Sequence, residues 1–114
     1  MLEDAKLIAQ ELKTAARQRT VISRAYYAAY SASLAMTNFR FDNNARMGVH
    51  AQLINNLLGS TERKEKFVGR RLDSLRGKRV IADYQLGAFM SSNMAREAIE
   101  DAEEIIVDLW EITQ

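Results

Sequence analysis

Apolar positions recur three or four residues apart through most of the 114-residue chain. That period predicts helices rather than strands. In residues 2–17 the stripe runs Leu2, Ala5, Ile8, Leu12 and Ala15/Ala16, which predicts an amphipathic helix. A second helix is predicted from about Arg19 to Asn38. One of its rows reads Ile22, Tyr26, Ala29, Ser33, Met36, and the next reads Ala25, Ala28, Ala32, Ala35. Apolar residues nearly all round imply burial on several sides, and alanine and serine let neighbouring helices approach closely. This segment is expected to be the central helix of a bundle, with its tyrosines filling core volume. Phe41-Asp42-Asn43-Asn44 reads as a loop in which Asp42 or Asn43 can cap the helix that follows. A third helix is placed at about Ala45 to Leu58, with Gly59 as its stop and Ser60 or Thr61 capping the next. The fourth covers about Thr61 to Tyr84. Gly87 closes that segment, and Ser91 or Ser92 begins a last helix striped by Ala95, Ile99, Ala102, Ile106 and Leu109, with Trp110 beside it. The expected fold is all-α: one domain over residues 1–114, an up-and-down bundle of about five helices.

The fourth helix breaks its own pattern. Its apolar row runs Val68, Leu72, Leu75, then position 79, then Ala82, and position 79 is arginine. A buried charge without a partner costs several kcal/mol, so Arg79 must find one. Asp83 lies one turn later, and Arg76 borders the same row. Gly69 and Gly77 each weaken the helix by about 1 kcal/mol relative to alanine. They point to the close approach of another backbone, or to a kink.

Composition removes several chemistries. The chain has no cysteine, which excludes disulfides, thiolate metal sites and cysteine nucleophiles, and it has one histidine, His50. No metal and no cofactor are therefore expected. The start, MLEDAKLIAQELK, carries acids at once, and the longest uncharged run, Ala25 to Phe39, is too short and too polar for a bilayer span. A cytoplasmic protein without a membrane segment is the expectation.

Net charge is only +1, but the charges are segregated. Residues 60–80 hold eight bases against three acids, and residues 95–114 hold seven acids against one base, Arg96. A basic element can meet a polyanion, and it can equally pack against an acidic neighbour.

The segment "SRAYYAAYSAS", then a helix holding the histidine, then "LRGKRVIADY" together resemble the HEPN superfamily (higher eukaryotes and prokaryotes nucleotide-binding domain). The nearest likeness is to its small stand-alone prokaryotic members, whose second helix reads like S-R-x-Y-Y-A-x-[YF] and which carry an R-x-x-A-D-Y signature, here Arg79 to Tyr84. The resemblance covers about Arg19 to the C-terminus. It implies a bundle that homodimerises across the face carrying the fourth helix. It also implies RNA or nucleotide binding in a toxin–antitoxin or antiviral defence system, beside a nucleotidyltransferase-type antitoxin partner. Many such relatives are metal-independent endoribonucleases in which histidine follows an arginine by four to six residues. Here Tyr84 stands at the histidine position counted from Arg79, and Ile81 at that counted from Arg76.

The resemblance makes Arg79, Asp83 and Tyr84 the candidate catalytic residues. Arg76, Lys78, Arg70 and Arg71 are the candidate phosphate or nucleic-acid contacts. Arginines would grip a phosphate, Asp83 would orient Arg79, and Tyr84 would donate a hydrogen bond or stack on a base. Metal-free RNA cleavage needs a group that takes a proton from the ribose 2′-hydroxyl and one that protonates the leaving oxygen. Tyrosine, with an ordinary pKa of about 10, suits this poorly, and Asp83 is expected mostly to hold Arg79 in place. His50, among apolar neighbours on another helix, reads as a structural or surface histidine. The alternative reading is a non-catalytic module that uses the same face for dimerisation or a protein partner, with Arg79 and Asp83 as a buried structural pair.

Overall fold

A computed structural model describes residues 2–37, 39–84 and 92–114 of the chain. Among these the protein is all-helical. The helices are α1 (Leu2–Met36), α2 (Val49–Leu58), α3 (Arg63–Tyr84) and α4 (Ser92–Ile112). The expected stop at Gly87, the start at Ser91 and the end at Asn38 lie outside the described residues.

Among the described residues four helices stand where about five were expected, because the first two are one. Nothing between Ala16 and Thr20 forces a break: there is no proline and no glycine, and the Thr20 hydroxyl donates back to the Ala16 carbonyl at 2.9 Å. That bond satisfies inside the helix the group that could otherwise have capped a new one. α2 begins at Val49 rather than Ala45. Asp42 closes a local turn instead of a helix, accepting from the Asn44 amide at 2.9 Å, and the Gln52 side chain ties the loop to Met47 and Asp42. Gly59 does end α2, its amide donating to the Asn55 carbonyl at 3.0 Å. Ser60 precedes α3 and accepts from the Glu62 amide at 3.0 Å.

α3 runs back along α1, bringing Arg79 to Tyr27, and α4 runs antiparallel to α3. The core joins Ile22, Tyr26 and Ala29 of α1, Leu53 and Leu57 of α2, Leu72 and Leu75 of α3, and Ile105 and Leu109 of α4. On α4 the buried row is Ala95, Ala98, Ala102, Ile105 and Leu109, so Ile99, Ile106 and Trp110 are exposed. Ala95, Ala102 and Leu109 lie on the expected stripe, and the buried face is turned slightly from it, toward Ala98 and Ile105. Its rotation follows the charges: Lys64, Arg71 and Lys78, seven residues apart on α3, pair with Glu111, with Asp108 and Glu104, and with Asp101 and Glu97.

The two α3 glycines differ. A Cβ on Gly69 would collide with α2, whereas one on Gly77 would meet nothing within 4 Å. Gly77→Ala is therefore expected to stabilise the fold by about 0.5–1 kcal/mol through helix propensity alone. Thermal unfolding checks this as a rise of a few degrees.

Candidate functional site

The site sits where the middle of α1 meets the start of α2 and the end of α3. Tyr26, in the continuous core row of α1, is fully buried, and its neighbours Tyr27 and Tyr30 flank it, exposed and half-buried respectively. Of the tyrosines expected to fill core volume, only Tyr26 is fully buried among the three. His50 occupies the second position of α2, and Leu53, Ile54 and Leu57 follow at three, four and seven residues, so the ring shares their inward face.

There the ring meets α1. The Tyr26 hydroxyl lies 2.5 Å from His50 Nδ1, and the Tyr30 ring stacks on the imidazole with centroids 4.2 Å apart. From the other side comes Arg79, only 7% exposed. Its Nη1 donates to the Tyr27 hydroxyl and to Asp83 Oδ2, both at 3.3 Å, while its guanidinium lies over the rings of Tyr26, Tyr27 and Tyr84 at 5.2, 5.5 and 5.7 Å. Its Nε is buried and has no acceptor among the described residues. Tyr84 covers this cluster from the outside and is largely exposed.

The electrostatics follow from this packing. Burial, then the positive fields of Arg79 and Arg76, push the His50 pKa below its ordinary 6.5. Burial pushes the Tyr26 hydroxyl up to about 12, although Arg76 and Arg79 pull against it. Burial works against the charge of Arg79 too. Tyr27 and the Asp83 and Tyr84 hydrogen bonds outweigh it and raise its pKa. A neutral imidazole beside a protonated phenol allows two arrangements; in one, the O–H donates to Nδ1 and Nε2 carries the ring proton. Turning the hydroxyl so that it accepts from Nδ1–H leaves Nε2 with a lone pair. The Tyr26–His50 pair can therefore present either a proton or an acceptor at Nε2.

Tested against protein-family models, curated proteins and solved structures, the chain matches none. The functional reading therefore rests on the cluster itself.

Of the residues singled out from sequence, Arg76, Arg79, Asp83 and Tyr84 share this face with the tyrosines. Lys78 and Arg71 do not. Lys78 Nζ is 2.9 Å from Asp101, and Arg71 lies 2.9 Å from Glu104 and 2.5 Å from Asp108, so both hold α3 to α4. Arg70 is exposed on another side of α3, against Phe67. Among the described residues no group of histidine, aspartate and glutamate could hold a metal ion, and no helix is long and apolar enough to cross a membrane.

From sequence, His50 reads as a structural or surface histidine. It lies 29 residues before Arg79, and although it follows Arg46 it does so away from the helix that carries the arginine motif. The available signal was its register with Leu53, Ile54 and Leu57.

Proposed function

We propose that this chain is a HEPN-like RNA-binding protein whose aromatic and arginine cluster cleaves RNA without metal. The observation that carries the reading is the 2.5 Å Tyr26–His50 contact beside a guanidinium lying on the same tyrosine ring. It supplies the titrating group that the sequence motif lacks. Arg76 and Arg79 neutralise the scissile phosphate, and the exposed Tyr27 and Tyr84 rings stack on bases. His50 takes the 2′-hydroxyl proton as the 2′-oxygen attacks phosphorus. The 5′-oxygen then leaves with a proton returned by His50 or water, giving a 2′,3′-cyclic phosphate and a 5′-hydroxyl end. Lowering the His50 pKa favours the base form at neutral pH, and a bound phosphate offsets the two arginines and raises it again as the acid is needed. In this reading the protein serves a toxin–antitoxin or defence system and is restrained by a nucleotidyltransferase-type partner.

The test is incubation of purified protein with RNA in excess chelator. Wild type is expected to cut and Arg79→Ala to lose at least about 100-fold in rate; equal cutting by both sinks the assignment. Asp83 and the tyrosines already surround Arg79, and that observation favours the non-catalytic reading, in which this pair only knits α1 to α3. That reading expects no cutting by either protein and a lower melting temperature for Arg79→Ala.

A further inference from the structure

α3 carries two lines of residues spaced seven apart, side by side. In one, Lys64, Arg71 and Lys78 all meet carboxylates of α4. The other, one residue earlier, is Arg63, Arg70, Gly77 and Tyr84, and every member is exposed. A seven-residue step drifts only about 20° on a straight helix, so these four form one slowly winding line.

Neither arginine of this line has an ion pair among the described residues. Both lie instead against the ring of Phe67, which falls between them, with guanidinium carbons 5.5 and 5.8 Å from its centroid. Stacking on a ring restricts each side chain and leaves the N–H groups at the guanidinium edge free to meet an anion. Lys66 and Asp73, also seven apart, stand on one flank and offset each other.

Gly77 adds an independent observation. A Cβ there would meet nothing within 4 Å, so no contact among the described residues calls for glycine. Glycine weakens a helix interior relative to alanine. What it offers is bare backbone that something from outside the chain can approach closely. The line then ends at Tyr84, whose ring lies 5.7 Å from the Arg79 guanidinium carbon.

We infer that this line is the track along which a single-stranded RNA runs to the Arg79 cluster. The inference rests on the RNA-binding part of the function proposed above, and not on cleavage. From Arg63 to Tyr84 the helix rises about 31 Å. A stacked strand advances about 3.4 Å per nucleotide, so the track takes about nine nucleotides, within the usual range of single-strand sites. Each seven-residue step, about 10 Å, spans about three of them. A protein partner is the poorer fit. Tyr84 is the only large hydrophobic side chain of α3 that is exposed among the described residues, whereas the centre of a protein interface is apolar. A duplex is the poorer fit too, because the Tyr84 and Tyr27 rings need bases free of a partner strand.

The probe is a fluorescein-labelled 2′-O-methyl oligouridylate of ten residues, whose blocked 2′-oxygen cannot attack phosphorus, with a four-residue one for comparison. Fluorescence anisotropy is expected to show the wild type holding the longer probe more tightly. The double variant Arg63→Gln, Arg70→Gln is expected to lose at least about 10-fold for the longer probe, with a shallower dependence on salt, and to hold the shorter one as before. Gly77→Leu is expected to weaken the longer probe as well, although the protein melts no lower than wild type, since leucine is the better helix former. A lost contact within the fold does not give that combination. Four results would each overturn the track: equal affinity for the two probes, unchanged binding in the double variant, tighter binding of a ten-base-pair duplex, or equal displacement by polyglutamate. The two readings fail separately. Cutting of unmodified RNA with unchanged binding by the double variant removes the track alone, and the expected binding without any cutting removes cleavage alone.

Discussion

Replacing His50 by alanine is expected to slow metal-free RNA cleavage by about 100- to 1,000-fold, the usual worth of a positioned acid–base group. The fold should survive, because the ring is only half-buried and its neighbours Tyr26 and Tyr30 remain packed on α1. The pH profile adds a second reading of the same group. In the proposed cleavage His50 is the base in its neutral form, and burial, then Arg79 and Arg76, hold its pKa below the ordinary 6.5. The acid limb of the rate should therefore fall at lower pH than an ordinary histidine gives. Arg76→Ala removes one positive neighbour, so the limb should move back toward 6.5. Stability follows the same sign. The unfolded chain binds a proton on His50 more readily than the folded one does. Stability is then full above about 6.5 and declines as pH drops from there through the lower folded value. A rate in His50→Ala equal to that of wild type would remove the histidine from the chemistry and leave the arginines as a binding site alone.

Gly69→Val is expected to be the most damaging single change to the fold. A Cβ there would sit 2.9 Å from Leu57 Cβ, 3.0 Å from the Leu58 nitrogen and 3.2 Å from the Leu57 carbonyl carbon. Two of these three atoms are backbone, so relief requires α2 to move as a body. The cost of overpacking at such a contact is about 1–3 kcal/mol. Branching at Cβ on a helix whose neighbour cannot yield puts valine at the upper end, about 3 kcal/mol. For a chain of this size that corresponds to a fall in Tm of more than about 10 °C. Urea unfolding followed by circular dichroism measures it, with Gly77→Ala as the contrasting change on the same helix. The site should respond as well, since α2 carries His50 and any displacement of α2 pulls the imidazole from Tyr26. An unchanged melting temperature would mean that α2 is not seated on α3 as described.

Both expectations rest on contacts that no single segment of sequence announces. Arg79 was legible because it interrupts a row of Val68, Leu72, Leu75 and Ala82, and a helical period leaves little choice about where such a residue faces. Its link to Asp83 was legible for the same reason, being one turn along the same helix. His50 was harder to place. Its own row pointed inward, but which side chains wait there depends on how α2 lies across α1 and α3, and Gly69 sets that approach from the next helix. The role of the basic residues was open in another way. Charge segregation was plain, yet only the antiparallel run of α3 and α4 decides that Arg71 and Lys78 meet carboxylates while Arg76 and Arg79 turn toward the tyrosines.

The sequence alone determined the helical class, the inward face of Arg79 and its carboxylate one turn later. Each of these follows from spacing within one helix, and a helix fixes the geometry of residues three and four apart without outside help. Tertiary structure decided that α1 is continuous, that α4 turns Ile105 rather than Ile106 inward, and that a histidine from α2 joins the arginine of α3. Those outcomes depend on which faces of different helices meet. The local period leaves several faces nearly equivalent, and packing volume and opposite charges select among them.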